Sequence, residues 1–457
     1  MSTTDVQRAI DGAFISRLHL FLVAACSGVM LVDGLDIYMF GKFAPAVAHD
    51  FGEPVSRISL VFLLQQIGLT AGSLFISPIA DRIGRKPILL ASTFLFGIFT
   101  LAAAWSQTLL QLAILRGLAG LFLAAVIPNT VALLSEFAPA RYRSTFVTIA
   151  FAGYMCGGAL ASLFVIFLLE RQGWESAFWI GGLLSLALVP VLQLCAPESL
   201  QFRASRDPAD PRIARTLSRL GIGVPDNAGA QIAAKVGKKG AAAKVRLVET
   251  FTGGMARVTL LLWAIYFIAM FIIALYASFA PTFFYELGHV PLEVYATMSL
   301  LTLVVGLAGA STIGFLMDRL GPVPAIAGLF VLEAMTFVAM GYFPFGGLGS
   351  IIAFAVFGYC KGAGQSGLNA ICSQVYPSRI RSTGVGWAFG LGRLGGTFAP
   401  IAGGLLLSGI LSLLQVFVVI ALFPLILAAL LLVLGGVTAR SRRDEETPVL
   451  NAAGEQA

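Results

Sequence analysis

The sequence predicts an all-α membrane protein: twelve transmembrane helices in two six-helix bundles that repeat in parallel, with both termini cytoplasmic. Three observations predict it. The composition is too apolar for a soluble domain, twelve apolar runs have the length of a bilayer span, and residues 135–158 reappear in degenerate form at 373–396. The chain is 58% hydrophobic and 12% charged, with mean hydropathy +0.89, whereas soluble domains carry about 25% charged residues. A helix needs about 20 consecutive apolar residues to cross the hydrocarbon layer.

The first half holds runs at 20–45, 58–80, 87–105, 109–135, 145–169 and 176–195. The first is too long for a signal-peptide core and lacks a small-residue cleavage site, so it is retained as a span. The second and third are separated by DRIGRKP (81–87), where Gly84 permits a tight turn. The fifth follows Arg141 and Arg143, and the sixth ends at a polar stretch rich in Lys, Arg, Gly and Ala. The second half holds runs at 257–282, 293–316, 323–343, 348–373, 383–408 and 412–436, the last followed by Arg440, Arg442 and Arg443. The predicted organisation is an N-terminal bundle at 1–196, a cytoplasmic middle loop at 197–256, a C-terminal bundle at 257–437 and a cytoplasmic tail at 438–457.

The net charge of +7 and pI near 9.3 are explained by topology and not by nucleic acid. Of the 30 Lys and Arg residues, only Lys42 (at the edge of the first span), Arg57 and Arg171 are counted with the odd-numbered loops. The remainder outside the spans lie at the termini and in even-numbered loops, which the positive-inside rule assigns to the cytoplasm. Basic loops also favour anionic lipid. The five cysteines, Cys26, Cys156, Cys195, Cys360 and Cys372, lie in apolar stretches without CxxC spacing. They read as small buried hydrophobes, and neither a disulfide framework nor a metal site is expected.

SEFAPARYRSTFVTIAFAGYMCGG (135–158) aligns without gaps on SQVYPSRIRSTGVGWAFGLGRLGG (373–396) at an offset of 238, and DRIG (81–84) on DRLG (318–321) at 237. Loops facing one compartment converge on basic turns, which accounts for the short pair alone. It does not account for identities that continue into the following helix. Two departures mark asymmetry: Arg393 stands opposite Met155, and Gln374 opposite Glu136.

Charge inside a span costs about 2.5–3.5 kcal/mol and marks function by default. Asp33 and Asp36, three apart in the first span, face one side of a helix, and Gly34 between them lets a neighbouring helix or a ligand approach. Three cations are placed inside spans: Arg116, Lys361 and Arg393. Arg393 offers a fork of donors matched to a carboxylate, either of a substrate or of Asp33 or Asp36. Lys361 holds a second anionic group, cycles protons, or snorkels to an interface. Arg116 pairs structurally with a first-span carboxylate or takes part in coupling. Glu333 reads as lipid-edge or peripheral and is given no role. Gln65, Gln66, Gln365 and Asn369 hydrogen-bond a ligand or glue helices. Tyr38, Phe40, Tyr154, Tyr266, Phe389 and Trp387 are candidates to stack on a ring. No nucleophile–base pair is visible in these spans, so no enzymatic activity is expected.

GSLFISPIADRIGRKP (72–87) resembles the signature between the second and third spans of the major facilitator superfamily, with DRLG (318–321) as its counterpart. Asp33-Gly-Leu-Asp36 and the stretch 364–396 resemble the aromatic acid:proton symporters of that superfamily. The resemblance extends over about residues 20–437. It implies two halves that rock about a midplane site, with Asp81, Arg82, Gly84, Arg85 and Lys86 holding the cytoplasmic side shut and Asp318 and Arg319 as a weaker twin. Simple positive-inside anchoring explains Arg85 and Lys86 as well. Glu136 with Arg143, and Pro197-Glu198-Ser199, resemble charge networks of sugar-transporting relatives, either switching or static. Arg116 falls where the superfamily carries a motif linked to proton coupling.

The expected function is proton-coupled import of a small aromatic or related organic acid anion across a bacterial inner membrane, by a monomer with no cofactor beyond the coupling proton. Arg393, Lys361, Gln365, Asn369 and Tyr38 would bind substrate, and Asp33, Asp36 and Arg116 would couple protons. A sugar or polyol symporter is the nearest rival; a drug/proton antiporter or a transporter-like nutrient sensor is more distant.

Overall fold

A computed structural model describes residues 10–222, 230, 232, 250–251, 255–376 and 380–454. The helices α1 (Arg17–Asp50), α2 (Val55–Ile83), α3 (Arg85–Ala103), α4 (Leu109–Phe137), α5 (Ala140–Gln172) and α6 (Glu175–Cys195) belong to the first half. The second half contributes α7 (Ala256–Glu286), α8 (Leu292–Leu320), α9 (Pro322–Tyr342), α10 (Leu348–Val375), α11 (Arg381–Ser408) and α12 (Leu413–Gly454). The two halves form separate compact units, Met1–Lys244 and Val245–Ala457.

Each predicted run lies within one of these helices, give or take a residue or two, and most helices extend further than the apolar run. α1 reaches Asp50 and α12 continues past its apolar part, Leu413–Thr438. Some spans are interrupted. α4 breaks between Leu109–Leu123 and Val126–Phe137; Pro128, in the first turn of the second piece, has no N–H to return to the preceding turn. α5 closes on a π turn, Val165–Leu169.

The duplication is visible in the packing. In the first unit α1 packs on α5, α2 on α4, α3 on α6, α3 on α4 and α1 on α6. In the second, α7 packs on α11, α8 on α10, α9 on α12, α9 on α10 and α7 on α12, which are the same five pairings shifted by six helices. Gly84 (φ 115°) and Gly321 (φ 85°), equivalent in the repeat, take the positive φ that starts α3 and α9.

Backbone contact holds the pairs together. A Cβ at Gly34 would collide with the Tyr154 carbonyl, one at Gly157 with the Leu31 carbonyl, and one at Gly153 with the Ser27 carbonyl. Gly34 therefore admits α5, which settles which neighbour its missing side chain accommodates. Gly395, the repeat partner of Gly157, meets the Phe267 carbonyl of α7 in the same manner.

The expected middle loop is partly helical. Ser199 caps Leu200–Arg206 and Asp210 caps Pro211–Arg219, and Leu200, Ala204, Ile213 and Leu217 join the first unit's buried core. Two cysteines depart from the expectation of burial: Cys156 is exposed and Cys195 half-buried.

Candidate functional site

Asp33 and Asp36 lie in the middle of α1, 1% and 2% exposed. Asp36 meets Arg116 of α4 in a two-pronged ion pair. Arg116 Nη1 donates to Oδ1 at 2.6 Å and Nη2 to Oδ2 at 2.7 Å, while Gln65 Nε2 of α2 donates to Oδ2 at 3.4 Å. The guanidinium is fully buried. It lies 5.6 Å from the ring centre of Phe40 and 5.5 Å from that of Phe178, close enough for cation–π attraction. Arg116 Nε has no hydrogen-bond partner among the described residues. Of the two readings open for Arg116, the structure displays the pairing with a first-span carboxylate.

Asp33 is on the same face one turn earlier. Tyr154 of α5 is within electrostatic reach of both aspartates, and its ring sits edge-on to Tyr38 at 5.8 Å. Gln65 of α2 and Tyr154 of α5 thus converge on the acid pair, with Tyr38 of α1 packed on Tyr154.

Lys42 corrects the sequence reading. Placed there at the edge of the first span and counted with the loop that follows, it lies well inside α1, is 7% exposed, and hydrogen-bonds Ser162 Oγ of α5. The first span therefore holds a cation as well as two acids. His19, which no motif in the sequence singles out, is 1% exposed and bonds the Phe137 carbonyl through Nε2 at 3.0 Å.

In the second unit Arg393 is half-buried on α11, and its carbonyl accepts from Thr397 Oγ1 at 3.1 Å. Two of the surrounding glycines serve packing: Gly392 and Gly395 contact α7 backbone, whereas Gly390 faces open space within its unit. Asn369 Oδ1 accepts from Tyr266 Oη at 3.0 Å, and the Tyr266 ring leans on Phe389 at 4.9 Å. Gln365 is half-buried. Lys361 Nζ is 5.5 Å from the Tyr276 ring centre.

Glu333 is the clearest miss. It is neither lipid-edge nor peripheral but 4% exposed within the second unit, in electrostatic reach of Lys361. A carboxylate in the middle of a hydrophobic helix is itself the available signal.

The charge cluster around DRIGRKP is built differently from expectation. Glu136 does not pair with Arg143. Its Oε2 accepts from Arg85 Nη1 at 2.9 Å and from Ser199 Oγ at 2.7 Å, and its Oε1 from Gln201 N at 2.8 Å. Arg143, the first residue of a helical segment after the 3₁₀ turn Ala140–Tyr142, points to Asp11 at 2.8 Å instead. Asp81 and Arg82 are exposed, and Asp81 makes no ion pair among the described residues. The acid at the start of α3 is Glu198, whose Oε1 accepts from the backbone N–H of Arg85 at 3.0 Å and Lys86 at 3.2 Å. Helix N-termini favour such an anion. Lys86 Nζ donates to the Gln193 carbonyl at 2.6 Å. In the twin turn Asp318 and Arg319 are exposed, with Arg319 stacked 4.1 Å over Phe315.

Residues 26–349 and 262–455 match the Major Facilitator Superfamily. The gallate transporter of Pseudomonas putida is 33% identical over 432 residues, which is 94% of this chain and 95% of that protein. The 4-hydroxybenzoate transporter PcaK of Pseudomonas putida is 33% identical, covering 88% and 89%. The 3-(3-hydroxy-phenyl)propionate transporter of Escherichia coli K12 is 32% identical, covering 86% and 88%. Among solved structures, a bacterial homolog of the human lysosomal transporter Spinster, inward-facing and unoccupied, superposes with a TM-score of 0.72 at 16% identity over 93% of this chain and 99% of that one. The xylose transporter XylE from E. coli gives 0.70 at 14% identity over 90% and 98%. At these identities the structures speak for the fold alone.

Proposed function

The chain belongs to the Major Facilitator Superfamily, and on that premise we propose that it imports a small aromatic carboxylate together with protons, by alternating access, with both termini cytoplasmic. It is a multi-pass inner-membrane transport protein and not an enzyme. The substrate class is supported by relatives named as transporters of gallate, 4-hydroxybenzoate and 3-(3-hydroxy-phenyl)propionate.

The observation that carries proton coupling is the acid pair in α1. Arg116 compensates Asp36 within a fully buried, two-pronged contact, and Asp33 is a second buried carboxylate one turn away on the same face, where it can gain and lose a proton. Protonation removes a charge that the bilayer disfavours. Arg393 and Lys361 supply cations for the substrate carboxylate, and Tyr38, Gln365 and Asn369 supply hydrogen bonds for ring substituents. A monoanion moved with one proton is electroneutral, driven by about 1.4 kcal/mol per pH unit. A second proton adds roughly 2.3 kcal/mol per 100 mV of membrane potential.

The test is uptake of 4-hydroxybenzoate by proteoliposomes under an imposed pH gradient. Accumulation should be driven by external acid in the wild type and lost in Asp33→Asn, with exchange down a gradient retained. Uphill uptake that survives in Asp33→Asn removes the coupling assignment. An unchanged KM in Arg393→Lys removes two-pronged recognition of the carboxylate.

A further inference from the structure

The second unit holds an acid–base pair that bears on how proton and substrate binding are linked, and its meaning rests on the transport function proposed above. Helices α9 and α10 cross so that Gly367 lies against Ile326 and Gly364 against Phe330. The residue numbers run in opposite senses, so one turn further along α9 Glu333 falls opposite Lys361. The two are within electrostatic reach of each other.

The other titratable neighbours of Glu333 are few. α10 also brings Cys360, α7 brings Tyr276, and α8 brings Tyr295 behind Tyr276. α12, packed on the other side of α9, has no titratable residue over 413–438. Lys361 is therefore the cation that compensates Glu333. The ammonium also lies 5.5 Å from the ring centre of Tyr276. The lysine is half-buried while the glutamate is almost fully enclosed, so an anion arriving from outside the bundle reaches the lysine first.

We infer that Glu333 is a proton-operated latch on Lys361: ionised, it holds the ammonium; protonated, it releases the ammonium to an anionic group of the substrate. A buried carboxylate and a substrate carboxylate compete for one cation, and a proton on the first ends the competition. Proton binding and anion binding then favour each other by the same factor, whichever comes first. Asp33 and Asp36 belong to the other unit, so this proton is additional to theirs. The latch gives Lys361 a role in recognition that depends on pH, which a fixed cation such as Arg393 does not have.

The experiment measures 4-hydroxybenzoate binding to the purified full-length protein between pH 5.5 and 8.5. Wild-type affinity should fall as pH rises. Glu333→Gln, which mimics the protonated acid, should bind at least about tenfold more tightly than wild type at the alkaline end, since one pH unit corresponds to a tenfold change. Its profile should be correspondingly flatter, with the share due to the α1 acids remaining. Adding Lys361→Gln should abolish that gain. Should Glu333→Gln not fold, Lys361→Gln alone decides between the outcomes, because it should flatten the profile by the same share. A Glu333→Gln profile that overlays the wild type, or a gain that persists without Lys361, overturns the latch while leaving the transport function intact. Failure of the wild type to bind any aromatic acid overturns the function and the latch together.

Discussion

Arg116 and Asp36 meet through two parallel hydrogen bonds of 2.6 and 2.7 Å, with less of the arginine exposed than of any other charged side chain described. The pair is set within aromatic walls, Phe40 and Phe178. Desolvating both ions is expensive, and the geometry offsets that cost only while both partners are present.

Removing either partner alone is therefore expected to be severe. Asp36→Asn or Arg116→Gln should each destabilise the first unit by about 3–5 kcal/mol, and the double variant should recover part of the loss. Thermal unfolding in detergent measures all three; additive losses in the double variant would rule out the coupling. Arg116→Lys should also destabilise, since an ammonium cannot replicate the fork.

Glu198 and Asp81 should separate cleanly. Glu198→Ala deprives Arg85 and Lys86 of their acceptor at the start of α3, a loss of about 0.5–2 kcal/mol by analogy with helix caps. Limited trypsin digestion should then cut faster after Arg203 and Arg206. Asp81→Asn, at an exposed position, should leave the melting temperature unchanged; any effect should appear in the uptake rate.

A third contrast concerns Glu136 and Arg143. Glu136→Ala leaves Arg85, Ser199 and the Gln201 amide without their shared acceptor and should cost about 2–4 kcal/mol, the sum of several lost charge-assisted bonds. Arg143→Gln breaks a half-exposed pair with Asp11, typically worth about 0–1 kcal/mol. Equal losses would mean that Glu136 is not held as the structure places it.

Gly157→Ala should destabilise by about 1–3 kcal/mol, because its Cβ would press on the Leu31 carbonyl and overpacking has that typical cost. Gly386→Ala on α11, where a Cβ meets open space, serves as the control and should be near neutral. Comparable melting temperatures for the two variants would refute the seam.

Helix positions are legible because span length is imposed by the bilayer, and the duplication because the DRxG turn and the stretch around Arg141 survive in both halves. Pairing is less legible. Glu136 and Arg143 are seven apart, and nothing in one sequence reveals that the turn at 140–142 sends Arg143 toward Asp11 while α3 delivers Arg85 to the glutamate. Lys42 reads as the edge of the first span because a charge resembles the end of a span; α1 continues well beyond it, and Ser162 of another helix satisfies it. The place of Glu333 is hidden because its partner depends on the register of α9 on α10, which Gly364 and Gly367 set in three dimensions.

The seam between α1 and α5 has a mechanical consequence. Interfaces lined with side chains slip by exchanging rotamers, but carbonyls seated on Gly153 and Gly157, and Gly34 seated on Tyr154, leave no rotamers to exchange. The two helices must tilt as one plank. In the alternating-access cycle proposed above, any stroke that re-aims the aspartates would therefore carry Tyr154 along with them.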